Sequence, residues 1–194
     1  TDVLLRYLKT MDLPDLDFGK HIIPKMIHEE KVFAHKFFGY WKDVGTYDAY
    51  LETNLGLIET VDKIQLDMYD ESWKIHTRSE ELPAVKVGSK AVIKQALLSN
   101  GSIVAGTVER SVLSPGVIVH PHAVVKNSVI FNNVEIKSGA IVENCIIDKH
   151  TVIEEDARVG FGDDYTANKE GPDLLASGIT VLGKHLTIPK QMVI

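Results

Sequence analysis

Residues 108–159 repeat with a fixed period of 17, and this period constrains the fold more than any other feature of the chain. Three blocks of equal length begin at Val108, Val125 and Val142. Large aliphatic residues recur within them at steps of five, six and six: Val108, Leu113, Val119, Val125, Ile130, Ile136, Val142, Ile147, Ile153 and Val159. A short, fixed period is typical of a solenoid, in which each repeat buries its apolar face only by stacking on its neighbours.

Each step predicts one side of a three-sided coil whose interior holds the aliphatic side chains. The residue four positions after most of these aliphatics is small or β-branched: Val117, Ala123, Val134, Ala140, Thr151 and Ala157. Weaker continuations place Val92, Leu98 and Val104 inside a shortened first coil, and Leu182, Ile188 and Ile194 inside a last one. The pattern therefore predicts roughly five stacked coils, with strands about 4.8 Å apart.

This periodicity resembles the hexapeptide-repeat family, whose coils form a left-handed parallel β-helix. The handedness is implied by the resemblance alone, because crossovers between parallel strands are usually right-handed. The repeat stops between Gly160 and Gly178, where Gly, Asp and Asn are frequent. We expect a surface loop inserted at 161–178.

Composition excludes several classes of function. A formal charge of −6 argues against a nucleic-acid-binding surface. No run approaches the roughly 20 apolar residues of a membrane span, and no signal peptide begins the chain, so we expect a cytoplasmic protein. The single cysteine, Cys145, stands where Ser111 and Ser128 stand in the preceding coils, which favours a structural role over a reactive thiol.

The first 82 residues lack the 17-residue period and read as mixed α/β. Helices are predicted at 2–11 and 18–30, extended strands at 31–37 and 39–44, and a helix begins at Thr46, a good N-cap residue. So few elements make a poor core on their own. We interpret this region as the end of a larger domain.

Four segments of this region resemble the ADP-glucose pyrophosphorylase (glucose-1-phosphate adenylyltransferase) family, in that family's order. They are DVLLRYL at 2–8, DFGKHIIPKMI at 17–27, GYWKDVGTYDAYLETN at 39–54 and LDMYDESWKIHT at 66–77. The resemblance implies a mainly β chain with two domains. Residues 1–82 would be the α/β C-terminal remnant of a nucleotidyltransferase domain plus a linker, and 83–194 the left-handed β-helix.

The family's glycine-rich nucleotide-binding segment, of the form GGxGxRL, has no counterpart in this sequence, and neither has its lysine-bearing sugar-phosphate segment. The chain also begins with Thr1 rather than Met. We therefore expect a C-terminal part of the enzyme that is inactive alone.

The resemblance implies a reaction in which glucose 1-phosphate attacks the α-phosphorus of ATP, giving ADP-glucose and pyrophosphate for glycogen or starch synthesis. It assigns a Mg²⁺-binding, catalytic role to Asp43, and Trp41, Gly45 and Thr46 become candidate substrate-binding residues. The alternative is that Asp43 and Thr46 only cap the following helix and that Trp41 belongs to a core. By the same resemblance, the β-helix serves allosteric regulation and assembly into a homo- or hetero-oligomer.

Other readings stay open at this stage. A hexapeptide acyltransferase would use His150 or His185 as its base, but it leaves residues 1–82 unexplained. A non-catalytic regulatory subunit and a pyrophosphorylase for another sugar nucleotide are also possible. His120 and His122 flank Pro121 and are expected to be solvated turn residues rather than metal ligands, and Asp17 is expected to cap a helix.

Overall fold

The computed structural model describes residues 2–11, 14–59, 66–161 and 178–194. Contacts between residues divide the chain into two units, Thr1–Gly39 and Tyr40–Ile194. This division lies upstream of the expected domain boundary at 82/83, which stays a prediction.

In the first unit, two helices flank a π-helical turn. Helix α1 spans Asp2–Thr10, the turn spans Phe18–Ile22, and helix α2 continues directly from it over Ile23–Glu29. The side chain of Asp17 accepts a hydrogen bond from the Lys20 amide at 2.7 Å, which confirms its predicted capping role. Tyr7 is buried, and its hydroxyl donates to Oε2 of Glu29 at 2.7 Å.

Residues 31–45 carry no regular secondary structure, so the prediction of strands at 31–37 and 39–44 was wrong for this chain. A strand needs a neighbour for its backbone N–H and C=O groups. None of the strand pairs among the described residues involves this segment. Its aromatic side chains are correspondingly exposed, at 86% for Phe33 and 92% for Phe38.

The second unit begins with helix α3, Tyr47–Gly56, and continues into a solenoid whose strands all pair in parallel. Six strands form face A: β1 (Lys86–Val87), β3 (Ile103–Val104), β5 (Ile118–Val119), β8 (Glu135–Ile136), β11 (Val152–Ile153) and β14 (Thr187–Ile188). Strands β2 (Val92–Leu98) and β4 (Thr107–Leu113) each cross a corner and contribute to both remaining faces.

Face B continues from the first halves of β2 and β4, and face C from their second halves. Face B adds β6 (Val124–Lys126), β9 (Ile141–Glu143) and β12 (Arg158–Val159); face C adds β7 (Val129–Ile130), β10 (Cys145–Ile147) and β13 (Thr180–Leu182). These three faces confirm the predicted parallel β-helical coil. Strand pairing alone does not define the handedness of the coil. Its left-handed sense stays a prediction that rests on the family resemblance.

The strand register reproduces the sequence period. Ile118 pairs with Glu135, 17 residues on, whereas Ile103 pairs with Ile118 after only 15. Val152 pairs with Thr187 after 35 residues, which exceeds one coil by 35 − 17 = 18. Most of the loop predicted at 161–178 lies outside the described residues, and the register around it has room for an insertion of that length.

The predicted interior positions form one buried core. Every member of the 17-residue pattern from Val108 to Val159 has an exposed fraction of 0%, and so do the small or β-branched residues that follow them. The placement of Val92 inside was wrong: it is 44% exposed, whereas Ile93 pairs with Val108 and packs on the core. The inner residues of faces B and C are five positions apart, as in Val108 and Leu113. Counting back five from Leu98 gives Ile93, whereas the predicted count of six gave Val92.

The coil turns at residues with positive φ. Between faces B and C these are Gln95, Arg110, Asn127, Asn144 and Gly160; between C and A, Gly101, Gly116, Asn133, His150 and His185; between A and B, His122, Gly139, Asp156 and Gln191. Left-handed backbone favours Gly and Asn. The short first coil turns more tightly at Gly106, where a β-carbon would lie 2.4 Å from the carbonyl oxygen of Ala123.

We expect Ile136→Glu to destabilise the chain by ~4 kcal/mol or more, because it places a carboxylate in an interior without a partner. Lys137→Glu is the matched control. The Lys137 side chain is 30% exposed on the outer surface. This substitution should lower the free energy of unfolding by about 1 kcal/mol. Urea unfolding followed by circular dichroism measures both, and equal midpoints for the two variants would contradict the inward assignment of Ile136.

Candidate functional site

The segment Tyr40–Thr46 leads directly into α3 and belongs to the same unit as the solenoid. The hydroxyl of Thr46 accepts a hydrogen bond from the Ala49 amide at 3.2 Å, so Thr46 is the N-cap of α3, as predicted. Asp43 lies three residues before this cap, and its carboxylate is exposed. A β-carbon at Gly45 would lie 3.6 Å from Oδ1 of Asp43, so the carboxylate stands beside the bare backbone of this glycine.

Asp43 and Gly45 lie side by side just before the Thr46 cap. The Trp41 side chain is 75% exposed, so its alternative assignment to a core was wrong for this chain. Tyr40 is half-buried and lines a cleft of about 230 Å³ with Lys42, Glu52 and Arg110. Asp43 and Trp41 do not line this cleft.

An ion pair links the residue before Asp43 to α3. Nζ of Lys42 lies 2.8 Å from Oε2 of Glu52, and this hydrogen bond raises the pKa of Lys42 above its usual value. Lys42 and Glu52 were not singled out from the sequence, since ten residues and a turn separate them.

The outer side of face C carries α3. A row of aliphatic residues aligns there across successive coils: Leu97, Val112, Val129, Ile146 and Val181. Leu51, Leu55 and Ile58, from α3 and the turn after it, form one buried cluster with members of this row. Tyr50 stacks on Phe131 with ring centroids 6.1 Å apart, and burial raises the pKa of Tyr50.

A metal at this site would need ligands besides the side chains that the described residues bring together. Among the described residues there is no cluster of three or more His, Cys, Asp or Glu able to hold one. Mg²⁺ is usually bound by one or two carboxylates together with substrate phosphates. Asp43, exposed beside an uncovered backbone, fits a single protein ligand of such an ion.

The histidines singled out from the sequence lie at the solenoid surface. Nε2 of His120 lies 2.7 Å from Oε1 of Glu135, and Nζ of Lys137 lies 2.5 Å from the same oxygen. The hydrogen bond from Lys137, helped by that from His120, lowers the pKa of Glu135. This is an ion-pair cluster with one carboxylate.

His150 and His185, the candidate bases of an acyltransferase, occupy equivalent corners of neighbouring coils. Their rings stack with centroids 4.9 Å apart and an angle of 3° between planes. Parallel stacking of corner residues follows from the coil repeat and needs no substrate to explain it.

Cys145 continues a buried ladder begun by Ser111 and Ser128. Oγ of Ser111 accepts the Ser128 amide at 3.2 Å, and Oγ of Ser128 accepts the Cys145 amide at 3.1 Å. Each of the three side chains also donates to the carbonyl oxygen two residues before it, at 2.8, 2.5 and 2.9 Å respectively. Burial raises the pKa of the Cys145 thiol to about 12, so its predicted structural role is confirmed.

A three-sided parallel solenoid with 17-residue coils defines a hexapeptide-repeat protein. The chain belongs to the family described as "GlmU-like, C-terminal hexapeptide", whose model matches residues 83–182. No helix in the described ranges has the length and hydropathy that a membrane span requires.

Curated relatives extend the match upstream of the solenoid. A glucose-1-phosphate adenylyltransferase from Thermomicrobium roseum is 47% identical over 191 residues, covering 96% of this chain and 44% of that protein. Those from Fervidobacterium nodosum and Acetivibrio thermocellus are 40% and 37% identical, covering 87% and 89% of this chain. The chain thus spans less than half the length of these relatives and corresponds to their C-terminal portion, which confirms the family resemblance.

We expect Cys145 to resist thiol reagents in the folded chain, because an inaccessible thiol with a pKa near 12 forms almost no thiolate at neutral pH. Labelling of Cys145 should be far slower than that of free cysteine at both pH 7 and pH 9, because the side chain is buried. The same chain in urea is the control and should label fully. Rapid stoichiometric labelling of the folded chain at pH 7, followed by mass spectrometry, would contradict this.

Proposed function

We propose that this chain is the C-terminal part of a glucose-1-phosphate adenylyltransferase, which forms ADP-glucose and pyrophosphate for glycogen or starch synthesis. The observation that carries the proposal is the 47% identity over 96% of the chain to one such enzyme. A likeness confined to the solenoid would fit any hexapeptide-repeat protein. Here it includes the WKDVGT segment at 41–46, which lies outside the 83–182 family match.

In the proposed reaction, an oxygen of glucose 1-phosphate attacks the α-phosphorus of ATP, the bond to the β-phosphate oxygen breaks, and pyrophosphate leaves. Bound Mg²⁺ supplies neutralisation of the phosphate charge. Asp43 provides one carboxylate ligand, and the remainder of the full-length protein provides the other. Gly45 allows phosphate oxygens to approach the backbone.

The neighbouring residues orient this carboxylate. The Thr46 cap fixes where the extended segment ends and α3 begins. Trp41, with 75% of its side chain exposed, offers an aromatic surface to the substrate. The roles of Asp43, Trp41, Gly45 and Thr46 are all part of this proposal.

Exposed apolar side chains support the proposal that more protein covers residues 31–44 and 66–77. Phe33, Phe38, Tyr69 and Trp73 are each at least 76% exposed, although large aromatic residues usually lie in cores or interfaces.

The solenoid's proposed role is assembly and regulation in the cytoplasm, as a homo- or hetero-oligomer. Aliphatic residues on its outer faces, such as Val92 at 44% and Ile103 at 39% exposure, offer contact surface for other subunits. The relatives' names favour ADP-glucose over other sugar nucleotides. The matches beyond the solenoid likewise favour this enzyme over an acyltransferase.

The isolated chain should form no ADP-glucose from ATP and glucose 1-phosphate, because it lacks a phosphate-binding glycine-rich loop and a second metal carboxylate. Chromatographic detection of ADP-glucose measures this, with the full-length enzyme as the positive control. Formation of ADP-glucose by the isolated chain would refute the proposal that essential parts of the active site lie in the rest of the full-length protein.

In the full-length enzyme, Asp43→Asn should lower turnover by about 100-fold or more, because it removes a charged metal ligand worth several kcal/mol in the transition state. Asp15→Asn, another exposed aspartate, is the control and should have little effect. Assays over a range of Mg²⁺ concentrations, with thermal unfolding to verify folding, measure both variants. Equal turnover for the two would remove Asp43 from the active site.

A further inference from the structure

The proposed metal ligand lies in the same unit as the solenoid. Contacts join Tyr40–Ile194 into one unit that includes Asp43 and α3, whereas Thr1–Gly39 forms another. Asp43 therefore lies, in this chain, just before a helix that packs on the β-helix.

The apolar contact between α3 and face C carries most of this attachment. Leu51 and Leu55 are 7% and 5% exposed, and Ile146, opposite them on the solenoid, is 5% exposed. Burying a side chain of this size contributes about 1.5–3 kcal/mol. A helix of 10 residues is too short to be stable alone, so α3 depends on this contact.

Polar contacts hold the segment at both ends. At the start, the Lys42–Glu52 pair ties the residue before Asp43 to α3. At the end, Oε1 of Glu59 lies 3.4 Å from Nη2 of Arg110, and Oε2 of Glu59 lies 3.3 Å from Nε2 of Gln95. Gln95 and Arg110 are both left-handed corner residues of the solenoid.

We propose that residues 40–59 are a fixed extension of the β-solenoid, and that packing of α3 on the outer side of face C sets the position of Asp43. Ile146 and Phe131 are then positioning residues for the metal ligand, since they act through α3. The solenoid contributes indirectly to metal binding in this way, besides any role in assembly. This inference rests on the proposed metal role of Asp43.

The solenoid offers a matched control for this packing. Ile141 and Ile146 lie in the same coil, and both point outward. Ile146 is covered by the cluster that contains α3, whereas Ile141 lies on face B outside that cluster. Isoleucine-to-alanine substitutions at the two positions therefore remove the same atoms, but only one of them touches the helix.

The first experiment uses the chain itself. Hydrogen–deuterium exchange of the α3 amides from Tyr50 to Leu55 should rise about tenfold or more in Ile146→Ala and stay unchanged in Ile141→Ala. Inner-strand amides such as Val119 should stay protected in both, which verifies folding. Leu51→Ala, altered on the helix side, should reproduce the effect. Unchanged α3 exchange in both Ile146→Ala and Leu51→Ala would overturn the proposal.

The second experiment uses the full-length enzyme with Mn²⁺ as a spectroscopic substitute for Mg²⁺. Electron paramagnetic resonance in the presence of ATP should show Mn²⁺ binding several-fold weaker in Ile146→Ala, and unchanged in Ile141→Ala. If Asp43→Asn weakens Mn²⁺ binding and Ile146→Ala does not, the positioning inference fails and the proposed function stands. If Asp43→Asn leaves Mn²⁺ binding unchanged, the metal role in the proposed function fails, whatever the exchange data show about α3.

Discussion

Stacking of aliphatic side chains inside the three-sided coil is the interaction on which the second unit depends. Most of its strands have two or three residues, too few to be stable as separate pairs. They persist because each coil places its inner residues directly on those of the next, in register from Val104 through Val119 and Ile136 to Ile153. Outward-facing positions do not have to fill the interior, so their side chains can differ from face to face. Face C carries an apolar row that packs on α3, whereas the outer surface near Glu135 carries ion pairs.

The 17-residue period predicted the part of the fold in which the repeated aliphatic positions are also the buried positions. All the inner positions between Val108 and Val159 followed from it, and so did the structural role of Cys145. It failed at Val92, where the corner between faces B and C takes five residues and a six-residue count misassigns the inner position to Val92 rather than Ile93. The pattern of aliphatic residues indicates which side chains are buried. The number of residues needed to turn a corner depends instead on the backbone conformation there, as at Gln95 with its φ of 48°.

Strand propensity failed at 31–44 for a different reason. β-branched and aromatic residues indicate that a segment suits a sheet, but hydrogen bonds to another strand decide whether it forms one. Around the candidate site, local signals predicted the Thr46 cap, because capping is settled within a few residues. They missed Lys42–Glu52, which depends on the turn between the two residues, and Glu59–Arg110, which exists only after α3 has docked on the solenoid.

Docking of α3 also joins parts of the solenoid that are distant in sequence. The row on face C runs in register from Leu97 to Val181, and Val181 lies beyond the point where the register lengthens from 17 to 35 residues. Ile179 and Val181 belong to the same apolar cluster as Leu51 and Leu55, so this cluster includes residues from both sides of that point. A solenoid transmits distortion mainly between neighbouring coils. Helix α3 lies across β4, β7 and β10 of three successive coils, so the segment that carries Asp43 is attached to more than one coil.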